Sequence, residues 1–393
     1  MTKPDYQIFD ADHHYYEAED AFTRHIDPKM KRRCMQWADV DGKRKLMVGG
    51  KLCPFIPNPT FDPVAKPGCM DQFFRAKNPE GKSVKELFGE LEPIRPEYRD
   101  RDARVALMDK QGIEAMFMFP TLGVGMEQAL KDDPEAVCAA FYAFNRWLED
   151  DWGCNYQNRI FAAPYISLVN PDFAVSELQW ALEQDVRVVV MRSGPVMHPN
   201  GNRSLGHPDH DVFWKLASDS GITVAFHSGD SGYHQFNEFW GEGGHMKAFG
   251  TSLLGSALSA NPISDSVASL ILDGVFDRHS NLRVATIESG SSWVKPLLKA
   301  LRKTYGQFPQ AFKRDPAETL REHVWVSPYY EDDLQELKTA IGAERIIFGS
   351  DYPHAEGLAE PVSFMEDIAD FSAAEQRLIM RDNGMSLIQR RSA

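Results

Sequence analysis

The chain is poor in cysteine and poor in positive charge, and each shortage closes off a class of protein. Its five cysteines, Cys34, Cys53, Cys69, Cys138 and Cys154, show no CxxC spacing. That excludes a zinc ribbon or a disulfide framework and leaves reduced, mostly structural thiols. Lysine and arginine number 43 against 57 aspartates and glutamates, a formal charge of -14 with a pI near 5.4. No basic stripe is left to follow a phosphate backbone, so a small-molecule substrate is the expected partner and nucleic acid is not. No stretch approaches the roughly 20 consecutive apolar residues that span a bilayer, so no membrane partner is expected. The opening residues MTKPDYQIFD hold no basic region followed by an apolar one, and cytoplasmic residence is the expectation.

What the chain does have is repetition. Eight β-rich runs recur at 6–14, 114–122, 160–168, 186–194, 222–230, 283–292, 323–331 and 345–354, separated by helical periodicity at 101–112, 134–152, 172–184 and 211–221. Strands alternating with helices imply parallel pairing, and continuous apolar runs such as VVVM and MFMF imply burial on both faces. The expectation is an α/β fold, a (β/α)8 TIM barrel forming one domain over 1–393. The alternative, an open doubly wound sheet, would lack its usual nucleotide site, because no GxGxxG or GxxxxGK[ST] follows any run.

Two long interruptions follow strands one and five. The first, roughly 19–99, is rich in proline and contains a hairpin signal, GKRKLMVGGKL; the second, roughly 230–262, is rich in glycine and aromatics. Barrel enzymes build their sites from such loops, so both read as lids, with an oligomer contact between copies of the chain as an equal alternative. Closing helices are expected over roughly 359–391, with Asn383-Gly384 as a cap or turn inside the second.

The first strand, IFDADHHY, is crowded with titratable groups. Strand alternation places Asp10, Asp12 and His14 on one face and His13 on the other. Facing inward at the strand's end, Asp12 and His14 have metal-ligand spacing; His13 reads as structural, and Asp10 needs a partner that the sequence does not name. His227 ends the fifth run and Asp351 the eighth, so three distant strands converge on one mouth. Buried carboxylates there require a cation, and a mixed set of carboxylates and imidazoles suits zinc first, with manganese or iron as alternatives.

The stretches DADHHYYE, VAFHSGD, GVFDRHSNLRVATIESGSSW and IIFGSDYPHAEG resemble the amidohydrolase-related family of metal-dependent barrels, including its aminocarboxymuconate-semialdehyde and resorcylate-type decarboxylases. The resemblance implies that Asp12, His14, His227 and Asp351 are metal ligands and that Asp351 also moves protons. One departure stands out. The decarboxylase branch carries a histidine at the end of strand six, where this chain has IESGSSW with Glu288. No lysine in VVVMRSG is available as a carbamate bridge.

Glu288 therefore reads as a catalytic group, as a bridge to a second metal, or as a structural ion pair, for instance with Arg192. Arg192 itself suits a substrate carboxylate or an ion pair. His354 reads as a donor to Asp351 at the edge of the substrate site or as a turn histidine, Trp240 and Phe236 as shelter for an apolar or aromatic substrate or as packing of the loop, and His234 and His245 as lining of the pocket or as surface histidines. The leading function is a metal-dependent hydrolase. The alternatives are a non-oxidative decarboxylase of an aromatic or unsaturated carboxylic acid, then iron-dependent oxygenase chemistry, then a non-catalytic partner subunit.

Overall fold

Eight parallel segments close into a ring in the computed structural model, which describes residues 4–243, 252–258 and 260–390. The first strand, Ile8–Tyr15, pairs with Ile113–Pro120, which pairs with Ile160–Ala162. A parallel bridge from Tyr165 to Val190 leads to Val188–Arg192, and regular pairing continues through Thr223–His227, Arg283–Ile287 and Val324–Val326. The ring then closes through two more parallel bridges, Val326 to Ile346 and His13 to Tyr352. The Ala11 and His14 N–H groups donate to Phe348 and Tyr352 along this seam, and the Asp351 N–H donates to Asp12. The barrel expected from the eight runs is therefore the fold, with strands in sequence order around it.

The barrel strands are buried along nearly their whole length, with Glu114 half-buried, as their apolar runs require,. Helices cover the outside. Four of them begin on an Asx-Pro pair: Asp133, Asn170, Asn261 and Asp315 each accept a backbone N–H from the first turn, and the following proline opens the helix,. The insertion after strand one contains the expected hairpin, Met35–Val40 against Lys43–Val48, extended by Lys51–Leu52. Within the second interruption, residues 244–251 and 259 lie outside the described residues, His245 among them. Among the described residues, no helix is long and apolar enough to cross a membrane.

The C-terminal expectation needs one correction. Asn383-Gly384 does not interrupt the last helix: Ala373–Arg377, the wider turn Leu378–Asp382 and Asn383–Leu387 run on continuously. Asn383 donates to the Ala343 and Ile346 carbonyls, and Gly384 lies against the ring of buried Phe9, where a β-carbon would stand 2.7 Å from Phe9 Cγ. The glycine is there for close packing. Gly384→Ala is accordingly expected to lower stability by about 1–3 kcal/mol despite the roughly 1 kcal/mol of helix propensity gained. Urea unfolding checks this; an unchanged or raised midpoint would show that the contact is loose.

Candidate metal centre

The first strand does not alternate strictly. A β-bulge sets Asp10 opposite Met116 and His13 opposite Met118, three positions against two,. Asp12 and His14 still face one point at the mouth, while Asp10 and His13, which alternation puts on opposite faces, lie 3.4 Å apart. The Asp10 partner that the sequence leaves unnamed is now visible: Oδ1 accepts the backbone N–H groups of Asp12 and Ser350, at 3.1 and 2.9 Å. Arg104 donates to His13 Nδ1 at 2.8 Å, so His13 Nε2 carries the hydrogen that faces Asp10,. All three side chains are buried. Burial pushes the Asp10 carboxyl up to about 8 and the His13 imidazole well below its ordinary value,. His13 is scaffolding, and Asp10 clamps strands one and eight just beneath the mouth.

Above that clamp, Asp12 Oδ1, His14 Nε2 and His227 Nε2 form a triangle with sides of 3.3, 3.4 and 3.2 Å. Asp351 Oδ1 stands 3.4 Å from His14 Nε2, and Glu288 Oε2 stands 3.5 Å from His227 Nε2. Two donor atoms each about 2.1 Å from one ion are about 3.0 Å apart at right angles and about 3.4 Å apart at the tetrahedral angle. Asp12 Oδ1 is buried with no hydrogen-bond donor of its own. The ring of His227 is oriented from behind: Nδ1 lies 2.7 Å from the Ser228 carbonyl, which can only accept, so the neutral ring turns its Nε2 lone pair to the mouth,. Composition, spacing and orphaned oxygen all suit a divalent cation.

The electrostatics say the same. Burial and neighbouring carboxylates hold Asp351 and Glu288 well above the usual carboxylate range. Burial also opposes the charge on Asp12, but His14 and His227 outweigh it and hold that carboxyl below its usual range. Burial, then His354, keeps His14 neutral; at His227 the Asp12 and Glu288 carboxylates outweigh burial and raise the imidazole. The pocket is short of positive charge, which a divalent ion supplies.

Local backbone aims the two strand-end acids. Glu288 and Asp351 both adopt left-handed φ values, 47° and 58°, a conformation that costs a non-glycine residue about 1–3 kcal/mol and clusters at functional sites. Tyr329 donates to the Glu288 carbonyl at 2.8 Å, and the His354 N–H donates to the Asp351 carbonyl. Gly349 lets strand eight pass close beside Asp12, because a β-carbon there would stand 2.5 Å from that of Asp12.

The remaining expectations divide. His354 is brought in as a partner of Asp351, with Nδ1 at 2.6 Å from Oδ1 and its ring centroid 4.0 Å from that of His14. Arg192 is not brought in. Its guanidinium donates to Gln128, to the Ser231 carbonyl and to the Pro195 carbonyl, with Glu127 3.7 Å away, so the donors meant for a substrate carboxylate are already engaged. Glu288 accordingly pairs with His227 and not with Arg192. Trp240 and Phe236 stay at the surface, 67% and 50% exposed, and His234 pairs with Asp230.

Two residues escaped the sequence reading. Glu356 brings a fourth carboxylate beside Glu288, Asp351 and His354; no periodicity marks it, only its place two residues beyond SDYPH. Thr121 bonds to His354 and sits at the mouth of strand two, where the barrel rule could have found it. Glu17 does not enter the cluster: its carboxylate accepts the Leu122 and Gly123 N–H groups.

The sequence-family model described as Amidohydrolase matches residues 9–387. An amidohydrolase of known crystal structure from Mycobacterium avium subsp. paratuberculosis is 44% identical, with a TM-score of 0.94 over 99% of each chain. A 5-carboxyvanillate decarboxylase from Novosphingobium aromaticivorans, crystallised with manganese and 4-hydroxy-3-methoxy-5-nitrobenzoic acid, is 17% identical, with a TM-score of 0.60 over 98% of this chain and 96% of that one. A dihydroxybenzoic acid decarboxylase from Polaromonas, with manganese and 2-nitroresorcinol bound, is 18% identical, with a TM-score of 0.57 over 81% and 93%. The last two share the fold.

Proposed function

Because the chain belongs to the amidohydrolase family, we propose that it is a metal-dependent hydrolase of a neutral carbonyl substrate, with Asp12, His14, His227 and Asp351 holding the ion. Zinc is the first choice for this donor set; manganese, present in two proteins of the same fold, is the second,. When bound, such an ion polarises a carbonyl and lowers the pKa of a water beside it.

The protein's own groups supply the rest. Asp351, paired with His354, takes the proton of the attacking water and returns it to the leaving group. His227 is kept in its coordinating tautomer by the Ser228 carbonyl. Glu288, whose side chain is 21% exposed, borders the space that a substrate would enter.

The observation that carries the hydrolase reading is the charge of the mouth. Glu288 and Glu356 add two carboxylates to Asp12 and Asp351, while Arg192, Arg99 and Arg104 are committed to protein groups, mainly backbone carbonyls. A neutral carbonyl compound suits that wall better than a second anion does. The decarboxylase reading draws on the two manganese-bound decarboxylases of the same fold, whose bound compounds are nitro-substituted phenols.

The two readings separate in one assay. Zinc-loaded enzyme is expected to hydrolyse neutral aryl esters or amides and to release no carbon dioxide from a panel of hydroxybenzoates. Glu288→Gln is expected to raise kcat/KM for a carboxylate-bearing ester relative to its neutral counterpart by about tenfold, the worth of roughly one relieved charge contact. Carbon dioxide release without hydrolysis would replace the hydrolase reading by the other.

A further inference from the structure

The geometry points to Tyr329 as the platform against which a planar apolar group of the substrate lies, at a mouth entered over the ends of strands six to eight. The loop after strand two closes the other side. Its Val124 carbonyl accepts the Asp230 N–H at 3.1 Å beyond the end of strand five. Glu127 accepts from Tyr165 and Ser167 beyond strand three, and Gln128 accepts from Arg192 at the end of strand four. Leu122 to Gln128 are buried, and a β-carbon on Gly229 would stand 2.7 Å from Val124, so this loop and the one after strand five are in close contact. Exposure follows the same division. Asp12, His14 and His227 are buried, while accessibility rises to 12% at the His354 side chain, 21% at that of Glu288 and 38% at Tyr329. Among the described residues, the open sector is therefore that of strands six to eight.

Tyr329 follows strand seven and is fixed at three points in that sector. Its hydroxyl donates to the Glu288 carbonyl at 2.8 Å, its N–H donates to Asp332 Oδ2 at 3.0 Å, and its ring lies along Gly290, where a β-carbon would stand 2.7 Å from Cδ2. Asp332 Oδ2 also accepts the N–H and the hydroxyl of Ser291, at 2.6 and 2.9 Å, which ties the loops after strands six and seven together. The next residue does the same on the other side: Tyr330 donates to the Glu356 carbonyl, and the Arg75 guanidinium lies 4.2 Å from the centre of its ring. A ring held in this way has lost its freedom before anything binds, so its open face offers a flat apolar surface at little further entropic cost. It takes the place that the sequence suggested for Trp240 and Phe236.

The proposal rests on a metal at the mouth, as the proposed function does, and not on which bond the protein breaks, so the test reads binding without turnover. The zinc-loaded full chain is titrated calorimetrically with benzohydroxamic acid and with acetohydroxamic acid, which share one zinc-binding group and differ by a ring. The wild type is expected to bind the benzo compound more tightly. Tyr329→Leu is expected to weaken that compound about fivefold, the worth of one aromatic contact, and to leave acetohydroxamic acid and zinc content unchanged. Tyr329→Phe keeps the ring and restores the preference. Ala129→Trp, which adds bulk at the exposed position of the strand-two loop, leaves the preference intact.

Equal weakening of both compounds by Tyr329→Leu, or an unchanged preference, overturns the proposal. So does a preference abolished by Ala129→Trp, which would place the entrance over strand two. If neither compound binds the zinc-loaded wild type, the metal centre fails and the platform with it. With phenyl acetate and ethyl acetate as substrates, Tyr329→Leu is expected to raise KM about fivefold for the phenyl ester alone, at unchanged kcat. Absence of hydrolysis of both esters by the wild type overturns the hydrolase reading instead, while the calorimetry still decides on Tyr329.

Discussion

Asp351→Asn is expected to lower hydrolysis of a neutral ester about a thousandfold while most of the bound metal stays in place. The two effects part company for a structural reason. Three donors, Asp12 Oδ1, His14 Nε2 and His227 Nε2, remain within 3.4 Å of one another without Asp351, and the asparagine carbonyl can still approach the ion. The amide cannot take a proton from water, nor share one with His354 across the 2.6 Å contact. Removal of a general acid-base group costs about 100-fold to 10,000-fold, and the middle of that range applies to a group with both duties. Metal analysis beside steady-state kinetics checks it. A variant with full metal and full activity would remove Asp351 from the chemistry, and one with neither would make it a ligand only.

His14→Ala acts the other way round: the ion is lost first and activity follows. His14 is the most shared member of the cluster, with Nε2 in reach of Asp12, Asp351 and His227. Its removal leaves the two aspartates without the imidazole between them, in a mouth that also holds Glu288. Affinity for zinc is expected to fall well beyond the roughly 10-fold to 100-fold that losing an outer-shell partner costs. Two measurements follow: zinc content after dialysis, and thermal unfolding with increasing zinc. The wild type is expected to unfold at rising temperatures as zinc is added, because a ligand that binds only the folded chain stabilises it by mass action. The variant is expected to show no shift, and a shift equal to the wild type's would place the ion elsewhere.

How much of this could be read from the sequence depends on what each feature obeys. That Asp12, His14, His227 and Asp351 gather at one place was legible because each lies at or near the C-terminal end of a strand run, and a parallel barrel gathers its strand ends at one mouth,. Period and position sufficed. The contact between Asp10 and His13 was not legible, because it comes from a one-residue bulge that shifts alternation without changing composition. The partners of Arg192 were not legible for another reason: Gln128 and Ser231 are separated from it by 64 and 39 residues, and a free arginine and an engaged one look alike in a sequence. Asn383-Gly384 is a turn signal by local propensity, overruled here by the need to pass close to Phe9. Local rules located the elements and the mouth, while long-range contacts assigned the individual side chains.

The Asp10 clamp has one more consequence, for the order in which the site comes into being. Its two N–H partners belong to Asp12 and to Ser350, the second separated from it by 340 residues. Half of the proposed donor set, Asp12 and His14, is therefore made well before Asp351. Until the last strand docks, a growing chain holds only part of a metal site. An ion bound across that seam would staple the first strand to the last, so metal uptake would report that the ring has closed.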